Sequence, residues 1–254
     1  MTDTAVARPS CWWCGAIADS REHKFTAYEL RLANGPGPWI GDGAVVHGDF
    51  SEKLLQVQGP NSALAKFPPS MCANCNNARS QPFDRAYQKM LAYIVDHEEE
   101  MGTSRRFRFS EVYGADWAAE RTNLIKYFVK HACCRAVESG VQIPDGVRGY
   151  LNDPSAIGAA PHFHFTLSIQ QDMLELRLTG DMPWGSFFGD AEVYTNEARQ
   201  VSVIRSHYSW GWFRYYWLLN ADDPLGTTTF EGDLVEMGRE ALPAEERASF
   251  PTFN

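Results

Sequence analysis

Four cysteines in two Cys-x-x-Cys pairs are the residues whose types and spacing most directly predict chemistry in this 254-residue chain. Cys11 and Cys14 form the first pair, and Cys72 and Cys75 form the second. Two such pairs can place four thiolates around one Zn²⁺ at tetrahedral geometry, which is a structural site without an open position. The interval between the pairs is longer than in most zinc sites. The segment between them is therefore anchored at both ends by one predicted metal ion.

Three further polar residues lie close in sequence to the predicted zinc ligands. Glu22 and His23 follow the first pair, and Asn76 follows the last cysteine directly. Carboxylate and amide oxygens are suitable ligands for Mg²⁺, which keeps several waters. An imidazole with a pKa near 6.5 is partly neutral at pH 7 and can accept a proton from water. The pattern predicts a metal-dependent site for phosphodiester hydrolysis.

Residues 11–97 resemble the HNH nuclease family, in particular its members with a four-cysteine zinc. The motifs that carry the resemblance are Cys-x-x-Cys-Gly, Arg-Glu-His and Cys-x-x-Cys-Asn-Asn-x-Arg-Ser. The resemblance implies a ββα-metal fold and an endonuclease that hydrolyses phosphodiester bonds. It also implies that His23 is the general base, and that Glu22 and Asn76 bind one catalytic Mg²⁺ or Mn²⁺.

Basic residues beside these positions are the candidates for binding the substrate. Arg79 is three residues after Asn76, on the same face of a predicted helix, and could hold a flanking phosphate. Arg21 and Lys24 enclose the Glu-His pair and complete the predicted substrate-binding set. Asp84, two helical turns after Asn76, either supports the site or faces solvent.

Two features differ from the family pattern. The family has a middle Asn or His, nine residues before the final ligand, whose carbonyl orients the base. Phe67 occupies that position here, so its backbone oxygen or Asn61 could take that role. In an ideal strand the adjacent residues Glu22 and His23 would point to opposite faces, so we expect a bulge or a turn there.

Two alternative functions use the same residues. An RNA-cleaving nuclease would need the same metal, base and phosphate contacts, because they act on phosphate and not on the sugar. A non-catalytic zinc-stabilised module for nucleic-acid binding or protein interaction would keep the four cysteines and tolerate loss of His23. We expect DNA rather than RNA as the substrate.

Charge is distributed unevenly along the chain. The net charge is −9, but residues 136–254 alone hold 7 Lys or Arg against 17 Asp or Glu, which leaves the first 135 residues close to neutral. This asymmetry suggests two parts with different partners. The Arg-rich stretch 105–108 either binds phosphate groups or forms an ordinary amphipathic strand.

No secretory signal or membrane span is recognisable, so we expect a cytoplasmic protein with reduced cysteines and no membrane partner.

The periodicity predicts an α+β fold in three parts. Residues 1–100 form the zinc-fixed nuclease module, 101–140 a helical bridge, and 141–254 a β-rich antiparallel domain of unknown role. Predicted helices cover about 82–97, about 115–138 and 234–241, and predicted strands include 163–169, 173–178, 200–207 and 212–219. The aromatic stretch 208–217 in the last part is either sheet packing or a ligand or regulator-binding surface.

Overall fold

The computed structural model describes residues 9–40, 45–48, 54–180, 182, 185–189, 191–228, 230–242 and 244. This part of the chain combines helices with several sheets, which confirms the predicted α+β class. Its α-helices are α1 (Ala27–Asn34), α2 (Gln81–Asp96), α3 (Glu98–Ser104), α4 (Phe109–Tyr113), α5 (Trp117–Glu138), α6 (Asp145–Asn152) and α7 (Gln171–Thr179). None of these helices is long and apolar enough to cross a membrane.

The strands form three sheets. They are β1 (Val45–Gly48), β2 (Leu54–Val57), β3 (Arg106–Arg108), β4 (Phe163–Gln170), β5 (Ser186–Phe188), β6 (Glu192–Thr195), β7 (Val201–Trp210), β8 (Phe213–Asn220), β9 (Thr227–Thr228), β10 (Leu234–Glu236) and β11 (Gly238–Glu240). The β1–β2 and β3–β10 pairs form two small antiparallel sheets. The largest sheet has the order β11-β4-β8-β7-β5, with β6 also paired to β7 and β9 to β4.

The N-terminal segment after the first cysteine pair lies antiparallel to the segment before the second pair. Isolated bridges join Ser20 to Met71 and His23 to Lys66, and the Phe67 N–H donates to the Glu22 carbonyl at 2.8 Å. The chain then enters a π-helical turn, Asn74–Arg79, and continues into α2. The ββα order stays a prediction, because these two segments form isolated bridges rather than continuous strands.

The long helix α5 is the central element of the core. It packs on α2, where the rings of Tyr87 and Tyr127 stack with centroids 3.9 Å apart. Buried residues occupy nearly every position of its middle turns, so α5 is enclosed on all sides rather than along one stripe. Lys126, Lys130 and His131 are among them. Buried polar groups of this kind require partners, because burial removes their hydration.

One contiguous cluster of buried side chains runs from Cys11 to Met237. It includes Val147 and Leu151 on α6 and aromatic residues of the stretch 208–217. Trp210, Trp212 and Tyr215 are 1% exposed or less, so their large rings lie in the core. The three-part domain division stays a prediction, and this shared core joins side chains from all three parts.

Two sequence predictions about the second half are wrong. Residues 173–178 form part of α7 instead of a strand, although alternating Leu residues suggested a period of two. Good helix formers and a left-handed Gly180 (φ 83°) at the C-terminal end account for the helix. Residues 234–240 form β10 and β11 instead of a helix, because they pair with β3 and β4. Tertiary pairing overrides local propensity there.

The Arg-rich stretch is an amphipathic strand. Phe107 is 2% exposed on its inner side, whereas Arg106 and Arg108 point outward. Arg106 forms an ion pair with Glu236 at 2.6 Å, and Arg108 lies 3.4 Å from Asp233. These carboxylates partly neutralise the basic edge that could have gripped phosphates.

Candidate active site

The four cysteines of the two pairs lie together as predicted. Their sulfurs all lie within 4.8 Å of one another, and the Sγ atoms of Cys14 and Cys72 are 3.6 Å apart. Sulfurs bound to one Zn²⁺ at 2.3 Å are about 3.8 Å apart in a tetrahedron. No disulfide joins these described cysteines. The four thiols are close enough to hold one zinc ion.

Backbone hydrogen bonds shape both cysteine turns. The Gly15 N–H donates to the Cys11 carbonyl at 2.8 Å, and Gly15 has a left-handed φ of 79° that suits glycine. The Cys75 N–H donates to Cys72 Sγ at 3.5 Å. A hydrogen bond from the Ala16 backbone lowers the pKa of Cys14 to about 7. Donors aimed at sulfur favour the thiolate form, which is the form that binds metal.

Asn76 lies in the π-helical turn immediately after the last cysteine. Its Nδ2 donates to Ser20 Oγ at 2.9 Å, which links the second cysteine pair to the segment that leads to Glu22. Its Oδ1 is buried and has no hydrogen-bond partner among the described residues. Such an unsatisfied acceptor is costly, and π-helical turns often occur at functional sites. The Asn76 Oδ1 therefore fits the predicted role of a metal ligand.

Glu22 is 5% exposed and paired with a buried lysine. Lys130 Nζ on α5 lies 3.0 Å from Glu22 Oε1 and 2.7 Å from Asp84 Oδ1. Burial raises the pKa of Glu22, and the ammonium of Lys130 opposes that effect. The pKa of Lys130 is raised by the two carboxylates, so its ammonium stays charged. Glu22 can serve a second cation only while sharing its carboxylate with Lys130.

Ser80 connects Asn76 to this charged group. Its hydroxyl lies 2.9 Å from the Asn76 backbone carbonyl and 3.1 Å from Asp84 Oδ2, two acceptors between which its single proton is divided. A chain of close polar contacts therefore runs from the Asn76 backbone through Ser80, Asp84 and Lys130 to Glu22. Of the two interpretations of Asp84, the structure favours support of the site.

His23 lies at the edge of the same group. Its Nδ1 is 3.2 Å from the backbone oxygen of Phe25. A carbonyl oxygen only accepts, so Nδ1 carries the proton and Nε2 has the lone pair in the neutral ring. Burial, followed by the positive charge of Lys66, lowers the pKa of His23 to about 4. The imidazole is neutral at pH 7, as a proton acceptor must be.

The backbone oxygen within hydrogen-bonding distance of the His23 ring is that of Phe25, and a role of Phe67 or Asn61 in orienting the ring stays a prediction. The Phe67 oxygen accepts from Arg21 Nε at 3.0 Å, and Asn61 lies in an exposed turn. The chain bends at positions 24 and 25, directly after His23, whereas the sequence predicted a bulge or a turn at the Glu22–His23 pair itself. This bend brings the Phe25 carbonyl back to the histidine ring.

The predicted phosphate-binding residues have protein partners. Arg79 stacks on the Trp13 ring at 4.7 Å and donates from Nη1 to Cys75 Sγ at 3.4 Å and from Nη2 to Asn152. Lys24 Nζ forms an ion pair with Glu138 at 2.8 Å. The prediction that Arg79 shares a helical face with Asn76 assumed an α-helix, and the π-helical turn changes that spacing. Their contact with phosphate stays a prediction.

Sequence reasoning missed two α5 residues that build the site. Lys130 supplies the buried cation, and His131 connects α5 to the N-terminal segment at Lys24 and to β8 at Tyr215. His131 Nε2 donates to the Lys24 carbonyl at 3.0 Å, and Nδ1 accepts from the Tyr215 hydroxyl at 2.5 Å. Burial lowers the pKa of His131 to about 3. The sequence feature that could have revealed them is a Lys-His pair inside an otherwise apolar stretch of the predicted helix.

The structure supports the predicted zinc site more strongly than the predicted site for a catalytic ion. Within the described residues, the four cysteines are the one group of three or more Cys, His, Asp or Glu ligand atoms gathered closely enough for a metal. A catalytic Mg²⁺ or Mn²⁺ would have Asn76 Oδ1 and one oxygen of Glu22 as protein ligands. This small set is acceptable for Mg²⁺, which binds through few protein groups and retains water.

Comparison with known proteins adds no relative to this picture. No protein family, no curated protein and no solved structure matches the chain. The resemblance to the HNH family therefore rests on the sequence motifs alone.

Proposed function

We propose that this protein is an HNH-type, metal-dependent endonuclease that hydrolyses phosphodiester bonds in DNA. The observation that carries the proposal is the unpartnered Oδ1 of Asn76, on a π-helical turn that also contains a cysteine of the candidate zinc site. A buried acceptor without a donor is rare in folded proteins. A bound cation would satisfy it.

The roles of the residues follow from their surroundings. His23, neutral and with its lone pair on Nε2, accepts the proton of the attacking water. The Phe25 carbonyl holds the ring in that tautomer. Asn76 and Glu22 would hold the divalent ion, which would stabilise negative charge on the phosphoryl and leaving oxygens. Lys130 holds Glu22 and Asp84 in place.

A second candidate is a zinc-stabilised nucleic-acid-binding or interaction module without catalysis. The ion pair between Glu22 and Lys130 favours it, because the predicted metal-binding carboxylate already has a cationic partner. The low pKa of His23, about 4, also makes the ring a weak base. An RNA-cleaving enzyme would use the same side chains as the DNA enzyme, so only substrate comparison separates those two.

One experiment tests the proposal. Purified protein is incubated with supercoiled plasmid, linear duplex DNA and RNA, each with Mg²⁺, with Mn²⁺ or with EDTA. We expect nicking or cleavage of DNA that requires the divalent ion. His23→Ala should lose about 10²- to 10⁴-fold in rate, the usual contribution of a general base.

The control variants separate catalysis from folding. His23→Ala should retain zinc and its thermal unfolding profile, whereas Cys72→Ser should lose both zinc and cleavage. Equal cleavage by the wild type and His23→Ala would assign the activity to a contaminant or to another site. Nucleic-acid binding without cleavage under every metal condition would favour the non-catalytic module.

A further inference from the structure

A cavity of about 760 Å³ lies beside the sulfur cluster. Side chains at the start of α2, along the first turns of α5 and around the end of α6 line it. This volume is in the range of about 300–1,000 Å³ that is usual for small-molecule sites. Three cations line the cavity, namely Arg79, Arg121 and Lys126, and no described carboxylate residue lines it.

Lys126 is buried without an acid to balance its charge. It is 4% exposed, and its Nζ donates to the backbone oxygen of Asp153 at 2.5 Å. The rings of Tyr150 and Phe83 lie 5.5 and 5.8 Å from the ammonium. An ammonium has three donors, and no described carboxylate forms an ion pair with this one. Lys130, one helical turn away, has two such partners.

Burial lowers the pKa of Lys126, and the negative charge of Asp153 counteracts that effect only in part. Buried charges in proteins are normally paired. An anion held in the cavity would provide the pair that the chain itself does not.

The two arginines of the cavity also lack ion pairs within the described chain. The guanidinium of Arg121 lies over the Trp117 ring at 5.3 Å and donates to the Gly232 carbonyl at 3.1 Å. Arg79 stacks on Trp13 and donates to Asn152 and to Cys75 Sγ, a candidate zinc ligand whose thiolate charge would offset part of the charge of the guanidinium. Neither guanidinium forms an ion pair with a described carboxylate.

Residues at the start of α2 and in the first turn of α5 form one wall of the cavity. Pro82 and Phe83 of α2 line it, as do Ala118 and Ala119 of α5. The apolar side chains along this wall suit a base or sugar.

We propose that this cavity binds a phosphate-bearing ligand of nucleotide size, with the phosphate at Lys126 and Arg79 and the base against the apolar wall. The nucleotide is either free or part of a nucleic-acid strand. The second source rests on the proposed function, because Arg79 shares the π-helical turn with Asn76 and a strand bound here would lie beside the candidate centre.

Direct binding without divalent ions tests the proposal independently of cleavage. Titration calorimetry would compare adenosine 5′-monophosphate, adenosine and inorganic phosphate, and then a single-stranded oligonucleotide with and without a 5′-phosphate. We expect the nucleotide to bind about tenfold or more tightly than adenosine, since a charged hydrogen-bonded group contributes that much. Binding of the free nucleotide alone, or tighter binding of the phosphorylated strand, supports the proposal and identifies the source.

A lysine variant gives the decisive comparison. Lys126→Met keeps the length of the side chain and removes the charge, so nucleotide affinity should fall about tenfold or more. Its melting temperature should stay equal or rise, because an unbalanced buried charge is removed. Lys89→Met makes the same change at an exposed residue of α2 and should bind like the wild type.

Absence of nucleotide and phosphate binding to the folded, zinc-loaded wild type would overturn the proposal. Wild-type affinity in Lys126→Met would do the same. Neither result bears on plasmid cleavage, so the proposed endonuclease and this nucleotide site can fail separately.

Discussion

Lys130 Nζ lies 3.0 Å from Glu22 Oε1, with both side chains almost fully buried. Glu22, which the family resemblance predicts to be a metal ligand, is therefore held by a lysine of α5, a helix distant in sequence. Asp84 completes the arrangement as the second carboxylate on the same ammonium. The position of Glu22 consequently depends on α5 as much as on its own segment.

Lys130→Met should destabilise the fold strongly. It leaves the buried Glu22 and the half-buried Asp84 without their cation, and breaking a buried pair typically costs about 3–5 kcal/mol. Urea denaturation followed by circular dichroism measures the change in the free energy of unfolding. Lys89→Met, at an exposed site, should stay within about 0.5 kcal/mol of the wild type.

Adding Glu22→Gln to Lys130→Met should recover part of the loss, since one unpaired charge is removed. No recovery in the double variant would mean that the ion pair is not what Lys130 contributes.

Asn76→Ala should separate stability from activity. The substitution loses the hydrogen bond to Ser20 but also removes an unsatisfied buried oxygen, so the free energy of unfolding should change by no more than about 1 kcal/mol. Metal-dependent cleavage should fall at least about 10- to 100-fold, the effect that even outer metal partners have. Plasmid cleavage rates at several Mg²⁺ concentrations provide the measurement. A large loss of stability with unchanged cleavage would contradict the assignment.

The pH dependence of cleavage should reflect the pKa of His23. In the proposed mechanism the neutral ring is the active form, and the pKa of His23 is about 4 because of burial and the charge of Lys66. The rate should therefore be independent of His23 ionisation above about pH 5 and fall as the pH drops through 4. A rate–pH profile with zinc content monitored at each point tests this. A fall centred near 6.5, the ordinary value for histidine, would mean that His23 is not buried as described.

Folding stability should also decrease in acid because of His131. Its pKa is about 3 in the fold and near 6.5 in the unfolded chain, so the unfolded state binds the proton first. Stability is then fully present above pH 6.5 and decreases as the pH falls towards 3, by at most about 1.4 kcal/mol per pH unit for this residue. Urea denaturation between pH 7.5 and 4.5 measures the slope. His131→Gln should be less stable at pH 7 and show a shallower slope.

One zinc ion per chain is expected at the four cysteines. Cys72→Ser should lose the metal and lower the melting temperature, by about 2–4 °C for each kcal/mol lost in a chain of this size. Metal analysis and thermal unfolding measure both effects. Cys133→Ala removes a buried thiol outside the cluster and should keep the zinc. Loss of zinc in both variants would indicate general unfolding rather than ligand loss.

The sequence predicted the local features and missed the long-range ones. Paired cysteines and the period of α5 are visible in neighbouring residues, because metal turns and helices are built from local spacing. The partnership of Lys130 with Glu22 depends on how α5 docks, and no local pattern encodes docking. The π-helical turn that carries Asn76 was likewise not recognisable, since π-turns lack a strong sequence signal.

Errors in the second half have a similar origin. The segment 173–178 alternates apolar residues as a strand would, yet it forms a helix. Leu234, Glu236, Arg239 and Glu240 of β10 and β11 are good helix formers, but the backbone groups of these segments complete the edges of two sheets. In both cases the deciding contacts come from elements far away in sequence.

The position of α5 limits how this protein can be truncated. A fragment that ends at residue 100 would retain all four cysteines and the Glu-His pair but lack the ammonium and the imidazole that α5 inserts behind them. Glu22 would lose its ion pair with Lys130 and the packing against α5. Any fragment that keeps the centre should therefore extend at least through residue 138, and we expect a fragment that ends at residue 100 to bind zinc without an organised Glu22 site.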